Sequence, residues 1–188
     1  MSTSVEREAM LSATCDLPSV RLSEIVLRTA RYEEVKDWYQ AVLGVDPYID
    51  TEQFCFRRLH VDYPYSQVLA IFHVPEASTA PGPVAGLDHI QLRHASLEAM
   101  FDRFERLKVV GIVPYTSMNH GPGTSFYYRD PDQNSVELSG PNFDDEQEYL
   151  AYFESESYRN NIAGIIVDPD DFVGRYRSGT PQAELVKL

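Results

Sequence analysis

The chain has 188 residues, of which 43% are hydrophobic and 12% aromatic, and its formal charge at pH 7 is -13. This length suits one compact domain or two small modules that share a core, and the apolar content excludes a disordered chain. The acidic balance excludes nucleic acid and anionic membranes as partners, because both bind clustered Lys and Arg. We therefore expect a small-molecule substrate.

The cysteine content and the N-terminal segment indicate the compartment. Cys15 and Cys55 are the only two cysteines, which is too few for a disulfide framework. The first ten residues carry acids where a signal peptide needs bases, and no apolar run approaches the roughly 18 residues of a membrane span. We expect a cytoplasmic protein with a flexible polar leader over residues 1–20.

The first patterned segment, residues 21–75, predicts a β-α-β-β-β module. Alternating apolar residues indicate strands, and a change to helical spacing that stops at Gly44 indicates one helix. Three of its four strands are located, over residues 21–29, 54–61 and 67–74, together with a helix over 32–43 and a turn at 62–65 that joins the last two strands.

The small, proline-rich residues 76–86 read as a linker, and residues 87–142 repeat the module. Its elements are a strand over 87–94, a helix over 97–107, a short strand over 112–116, and strands over 125–129 and 135–139 around a DPDQN turn. Residues 143–188 form an extension with helix candidates over 144–154 and 170–176. We expect this extension to cover a sheet edge or a cleft mouth, with dimer contacts as the alternative.

Residues 22–37 and 87–102 are two copies of an internal repeat, with seven identities in sixteen aligned positions. A repeated unit that cannot close its own core packs on its twin. We therefore predict an α+β fold in which two tandem βαβββ modules form one shared, curved mixed sheet that encloses a cleft. In this alignment Glu24 stands where His89 stands in the second copy.

Glu24, His89 and Glu137 have the composition of a metal site on three strands. A carboxylate among apolar strand neighbours is costly unless it is paired or bound to metal. Each residue alone is more often structural, as a hydrogen-bonded core His or an edge Glu. The repeat symmetry favours the joint interpretation, and three protein ligands would leave positions open for substrate.

Further candidates lie beside this triad. His120, in a glycine-containing loop, can move a proton near neutral pH, and Tyr127 can donate a hydrogen bond to a substrate oxyanion. We assign catalytic roles to both, although a loop His is often only a surface residue. Gln91 and Arg93 share the strand face of His89 and are predicted to bind substrate. No nucleotide-binding or serine-nucleophile motif is present.

The doubled module, the GLDHIQL strand and the run NHGPGTSFYYRDPDQNSVELSG resemble the vicinal oxygen chelate superfamily, and within it the type I extradiol ring-cleaving dioxygenases. The resemblance covers residues 21–142 and implies a His, His, Glu metal triad. His89 and Glu137 match it, whereas Glu24 departs from it. Tyr127 matches a substrate-contacting tyrosine, and His120 lies close to a second active-site histidine. Gln67, which we include among the substrate-binding residues, occupies the place of an acid-base histidine.

The resemblance implies a divalent-metal enzyme that acts on a small aromatic or enolisable molecule chelated through vicinal oxygens. A dioxygenase with an altered Glu/His/Glu triad is the first expectation, with Fe²⁺ as the metal and Mn²⁺, Mg²⁺ or Zn²⁺ as alternatives. A non-oxidative isomerase, lyase or cyclase is the second. A metal-free binding protein is the third. Members of the superfamily are commonly dimers, so a homodimer is expected.

Overall fold

The computed structural model describes residues 21–62, 65–78 and 86–188, together with Val5 and Glu8. The predicted leader, apart from those two residues, and positions 79–85 of the predicted linker lie outside this part of the chain, as do positions 63–64 of the predicted turn. Among the helices so described, none is long and apolar enough to cross a membrane.

The first module forms a four-stranded mixed sheet with one helix. Its elements are β1 (Glu24–Thr29), α1 (Tyr32–Leu43), β2 (Ile49–Asp50), β3 (Phe54–Asp62) and β4 (Tyr65–His73). The strand order is β1-β4-β3-β2, with β1 parallel to β4. Helix α1 ends at Gly44, whose φ of 63° lies in the left-handed region that glycine adopts without strain. The predicted helix bounds are confirmed, and the two-residue β2 completes the module.

The second module repeats this arrangement in a separate five-stranded sheet. Its elements are β5 (His89–Arg93), α2 (Leu97–Val109), β6 (Thr116–Asn119), β7 (Gly123–Arg129) and β8 (Ser135–Pro141). The predicted strand over residues 112–116 is wrong except for its last residue. Ile112 instead closes the turn after α2 by donating its amide to the Leu107 carbonyl, and Pro114 has no amide to donate to a ladder.

The C-terminal extension covers the edge of the second sheet. Its elements are α3 (Glu146–Tyr152), α4 (Glu156–Asn160), β9 (Ile165–Ile166), α5 (Pro169–Arg177) and α6 (Gln182–Leu185). Strand β9 pairs antiparallel with β6, which gives the order β5-β8-β7-β6-β9. The exposed edge of β6 is thereby paired, as the sequence predicted for this segment.

The α+β class is confirmed, but the strands form two mixed sheets and not one shared sheet. Buried side chains of both helices and both sheets belong to one core cluster. Because side chains alternate along a strand, each sheet has a second face that does not contribute to this core. On the first sheet that face is aromatic, with Phe54, Phe56 and Phe72 in mutual contact. On the second sheet it is polar, and it carries the candidate site.

Candidate functional site

The polar face of the second sheet brings together side chains from three adjacent strands. Gln91 of β5 and Tyr127 of β7 are both register partners of Glu137 on β8. Glu137 is only 3% exposed. A buried carboxylate in mid-strand needs partners because transfer from water is costly, and its surroundings provide them.

The two carboxylate oxygens of Glu137 have different partners. The Gln91 amide donates to Oε1 at 2.7 Å, and the Ser125 hydroxyl donates to the same oxygen at 2.5 Å. His89 Nε2 lies 2.9 Å from the other oxygen, Oε2. Two donors on Oε1 fix the plane of the carboxylate, so Oε2 is held against the imidazole.

The His89 ring is oriented from its other side. Its Nδ1 lies 2.6 Å from the carboxylate of the exposed neighbour Asp88. A carboxylate on the distal nitrogen is the arrangement that orients metal-ligating histidines in proteins. Nε2 is thereby directed at Glu137 Oε2.

The pair of His89 and Glu137 fits a divalent metal ion. Two donors that each lie about 2.1 Å from one ion are about 3.0 Å apart when the angle between them is near 90°. The observed 2.9 Å between Nε2 and Oε2 agrees with this spacing. One imidazole and one carboxylate also form a donor set that Fe²⁺, Mn²⁺ and Zn²⁺ accept.

Glu24, the third predicted ligand, is exposed on β1, where its register partner is Val68. It lies on the aromatic face of the first sheet. In the described part of the chain, no group of three or more His, Cys, Asp or Glu side chains is placed to hold a metal ion. The structure therefore brings together His89 and Glu137, and the role of Glu24 stays a prediction.

The two predicted catalytic residues are in direct contact. Tyr127 OH lies 3.0 Å from His120 Nε2, and the Tyr127 ring packs edge-on against His89 with centroids 5.8 Å apart. Burial, reinforced by the neighbouring Glu137 carboxylate, raises the pKa of Tyr127 to about 12. The phenol is therefore protonated at neutral pH and available as a hydrogen-bond donor.

The C-terminal extension fixes the tautomer of His120. Its Nδ1 lies 2.8 Å from the Ala163 carbonyl, which can only accept, so Nδ1 carries the hydrogen. In the neutral ring Nε2 is then an acceptor, and Tyr127 donates to it. The next residue, Gly164, has a φ of 86°, and a Cβ there would lie 2.1 Å from the Asn119 carbonyl oxygen. Through this close backbone contact the extension packs against the loop that carries His120.

All three predicted substrate-binding residues, Gln67, Gln91 and Arg93, line one open cavity at the junction of the two modules. The guanidinium of Arg93 lies over the Tyr149 ring at 5.3 Å from its centroid. Because Gln91 also donates to Glu137, the cavity adjoins the buried carboxylate.

Sequence reasoning missed Asp88, Ser125 and Ala163 as parts of the site. Ser125 shares strand parity with Tyr127, a signal that could have identified it. Ala163 acts through a backbone carbonyl, which no side-chain pattern reveals. Phe126, the next residue along β7 from Ser125, is fully buried against Phe104 in the core, because it points to the helix side of the strand.

Comparison with known proteins gives one family. The family model described as Glyoxalase/Bleomycin resistance protein/Dioxygenase superfamily matches residues 21–138. Biphenyl-2,3-diol 1,2-dioxygenase 2 of Rhodococcus globerulus is 35% identical over 162 residues, which cover 86% of this chain and 84% of the relative. Biphenyl-2,3-diol 1,2-dioxygenase 3 of the same organism is 33% identical over 168 residues, covering 88% and 86%.

Solved structures share the fold at lower identity. Lactoylglutathione lyase from Agrobacterium tumefaciens superimposes with a TM-score of 0.51 at 22% identity, covering 65% of this chain and 95% of its own. A putative glyoxalase from Bacillus halodurans gives 0.52 at 18% identity, with coverage of 64% and 95%. At these identities the likeness concerns the fold alone.

Proposed function

The chain belongs to the glyoxalase/bleomycin resistance protein/dioxygenase superfamily, and from this premise we propose that it is a divalent-metal-dependent extradiol dioxygenase of small aromatic diols. That it is a dioxygenase-like enzyme follows from its similarity to the two biphenyl-2,3-diol dioxygenases over most of the chain. The observation that carries the finer proposal is the His89 Nε2 to Glu137 Oε2 pair at 2.9 Å, with Tyr127 against it.

In this proposal His89 and Glu137 hold the metal, with Glu24 as third ligand and Fe²⁺ as the first candidate. When bound, such an ion supplies a Lewis acid for two adjacent diol oxygens and a site for O₂. Asp88 keeps the His89 ring in its ligating orientation, and Gln91 and Ser125 keep Glu137 Oε2 directed at the same point. The protein thus contributes a prearranged donor pair.

His120 and Tyr127 move and hold the proton. His120 Nε2 is an acceptor within 3.0 Å of the Tyr127 hydroxyl, so it can take a proton from a substrate hydroxyl placed beside that tyrosine. The raised pKa of Tyr127 keeps its hydroxyl protonated, and it can donate to the resulting oxyanion. This pair gives the site a base and a donor despite Gln67 at the position of the family's acid-base histidine.

The test is oxygen consumption by protein loaded with Fe²⁺ under anaerobic conditions and then given a panel of diols from catechol to biphenyl-2,3-diol. We expect one O₂ to be consumed per diol. The ring-opened product should be yellow and should contain both atoms of that O₂. Glu137→Gln should abolish uptake, whereas Glu98→Gln, which changes an exposed acid on α2, should not. No uptake across the panel would refute the assignment.

A non-oxidative isomerase, lyase or cyclase is the second candidate. The observations that favour it are Glu24 and Gln67, which stand at positions where the resemblance to ring-cleaving dioxygenases implies histidines. This alternative predicts turnover under argon that a chelator abolishes. The panel in the presence and absence of O₂ separates the two functions. Ligand binding without metal, in either atmosphere, would instead indicate a binding protein.

We also propose a homodimer. The aromatic face of the first sheet supports it, because Phe72 and Val26 on that face are 36% and 47% exposed. Light scattering should give twice the chain mass, and Phe72→Glu should reduce it to that of one chain. A cytoplasmic location remains a prediction from the sequence.

A further inference from the structure

An open cavity of about 570 Å³ lies where the two modules meet. One wall comes from the end of α1 and from β3 and β4, and the other from β5, α2 and β8. Its volume falls in the range of small-molecule sites. Such a junction between modules is also a common position for ligands.

The charge of the cavity is opposite to that of the chain. Asp and Glu number 29 against 16 Lys and Arg, yet the charged side chains on the described walls are Arg93 and Arg103, and no carboxylate is among them. The remaining polar lining consists of His60, Gln67, Gln91 and His94. A local cationic patch in an acidic protein selects anionic ligands.

Arg103 is held in place without an acidic partner among the described residues. Its Nε donates to His94 Nε2 at 2.8 Å, and its Nη1 donates to the Val42 carbonyl. His94 in turn contacts the Ser139 carbonyl through Nδ1 at 3.2 Å. Burial and the neighbouring Arg106 lower the pKa of Arg103, as expected for a cation that no described anion neutralises. Neither bond uses Nη2.

Arg93 is positioned by an aromatic ring. Its guanidinium lies 5.3 Å from the centroid of Tyr149 in α3, and it forms no ion pair with a described acid. A guanidinium stacked in this way loses little freedom when it binds a carboxylate. Three apolar side chains, Val42, Leu59 and Leu138, also line the cavity.

We propose that this cavity binds the carboxylate group of a small organic acid. Arg93 and Arg103 are the cationic partners of the carboxylate, and the three apolar lining residues contact its hydrocarbon part. Gln67 adds a neutral donor on the opposite wall. The acid is either a substituent of the diol substrate, in which case the inference rests on the proposed function, or a separate molecule.

Calorimetry on the full chain with benzoate and its neutral counterpart benzamide tests the proposal without any need for turnover. Benzoate should bind at least tenfold more tightly than benzamide, and added salt should weaken benzoate alone. Arg93→Gln should remove the preference. This variant changes an exposed side chain, and an unchanged melting temperature will verify its folding.

The matched control is Arg28→Gln, since Arg28 occupies the position of Arg93 in the first copy of the repeat and does not line the cavity. It should leave benzoate binding unchanged. Equal affinities for benzoate and benzamide would overturn the proposal, as would equal effects of the two arginine variants.

The two sources of the carboxylate are separated by kinetics. If it belongs to the diol, Arg93→Gln should raise KM for a carboxylated catechol at least tenfold more than it raises KM for the corresponding carboxamide. If it belongs to a separate acid, the two values of KM should change equally while benzoate binding is still lost. Absence of ring cleavage would refute the proposed function and leave the calorimetric result to decide the carboxylate site.

Discussion

Replacement of Gly164 with alanine tests whether the C-terminal extension positions His120. The new Cβ would lie 2.1 Å from the Asn119 carbonyl oxygen and 2.6 Å from His120 Cα. Carbon and oxygen approach no closer than about 3.3 Å in ordinary contacts, so the extension must retreat by about 1.2 Å. The bond between Ala163 and His120, 2.8 Å long, would then stretch to about 4.0 Å and be lost.

The expected magnitudes follow from this displacement. A left-handed alanine destabilises the fold by about 1–2 kcal/mol, and the forced contact adds about 1–3 kcal/mol. A catalytic group misplaced by about 1 Å loses on the order of a hundredfold in rate. We therefore expect kcat to fall about a hundredfold, while metal content is unchanged because the described donors lie on β5 and β8.

Gly111→Ala is the matched control. Gly111 also has a positive φ, 80°, but a Cβ there would meet nothing within 4 Å. It carries the same backbone strain without the contact on His120. The assays are kcat with the best diol and the ¹⁵N shifts of the His120 ring, which report its tautomer without turnover. Equal kcat and equal ring shifts in the two variants would refute the positioning role.

Four further predictions concern the site itself. Ser125→Ala removes one of the two donors to Glu137 Oε1 and should weaken metal binding about tenfold in equilibrium dialysis; unchanged affinity would contradict this role. Tyr127→Phe should lower kcat about tenfold or more with little change in metal content. Because the pKa of Tyr127 is raised from 10.0 to about 12, the folded protein retains a proton between pH 10 and 12 that the unfolded chain releases. The free energy of unfolding should therefore fall as the pH rises from 10 to 12. Urea melts over this range should show a smaller fall of this free energy in Tyr127→Phe than in the wild type. Glu24→His should raise Fe²⁺ affinity and ring cleavage if Glu24 is a ligand, and an unaltered affinity would remove it from the site.

Local patterns were sufficient for much of the fold. Helix α1 was predicted to the residue, since its spacing and Gly44 are local signals. Strands β2 and β9 were missed because two residues have no period and pair only through tertiary contacts. The single shared sheet was wrong because sequence repetition indicates similar modules and does not determine how their edges pair.

The candidate site was predictable where it depends on strand parity. His89, Tyr127 and Glu137 converge because alternate residues of neighbouring strands share a face. The Ala163 carbonyl was not predictable, because any residue supplies a carbonyl and only the packing of Gly164 brings this one to His120. The same parity rule places Phe126, the neighbour of Tyr127 in β7, on the core face, where it is fully buried.

The most direct test of the proposed metal site is the stoichiometry of Fe²⁺ binding under anaerobic conditions in the wild-type chain and in His89→Ala. His73→Ala is the control, since His73 stacks on Tyr32 at the end of β4 and takes no part in the site. We predict one Fe²⁺ per chain in the wild type and in His73→Ala, and loss of the ion in His89→Ala. Stoichiometric iron in His89→Ala, or none in the wild type, would contradict the metal site on which the proposed function depends.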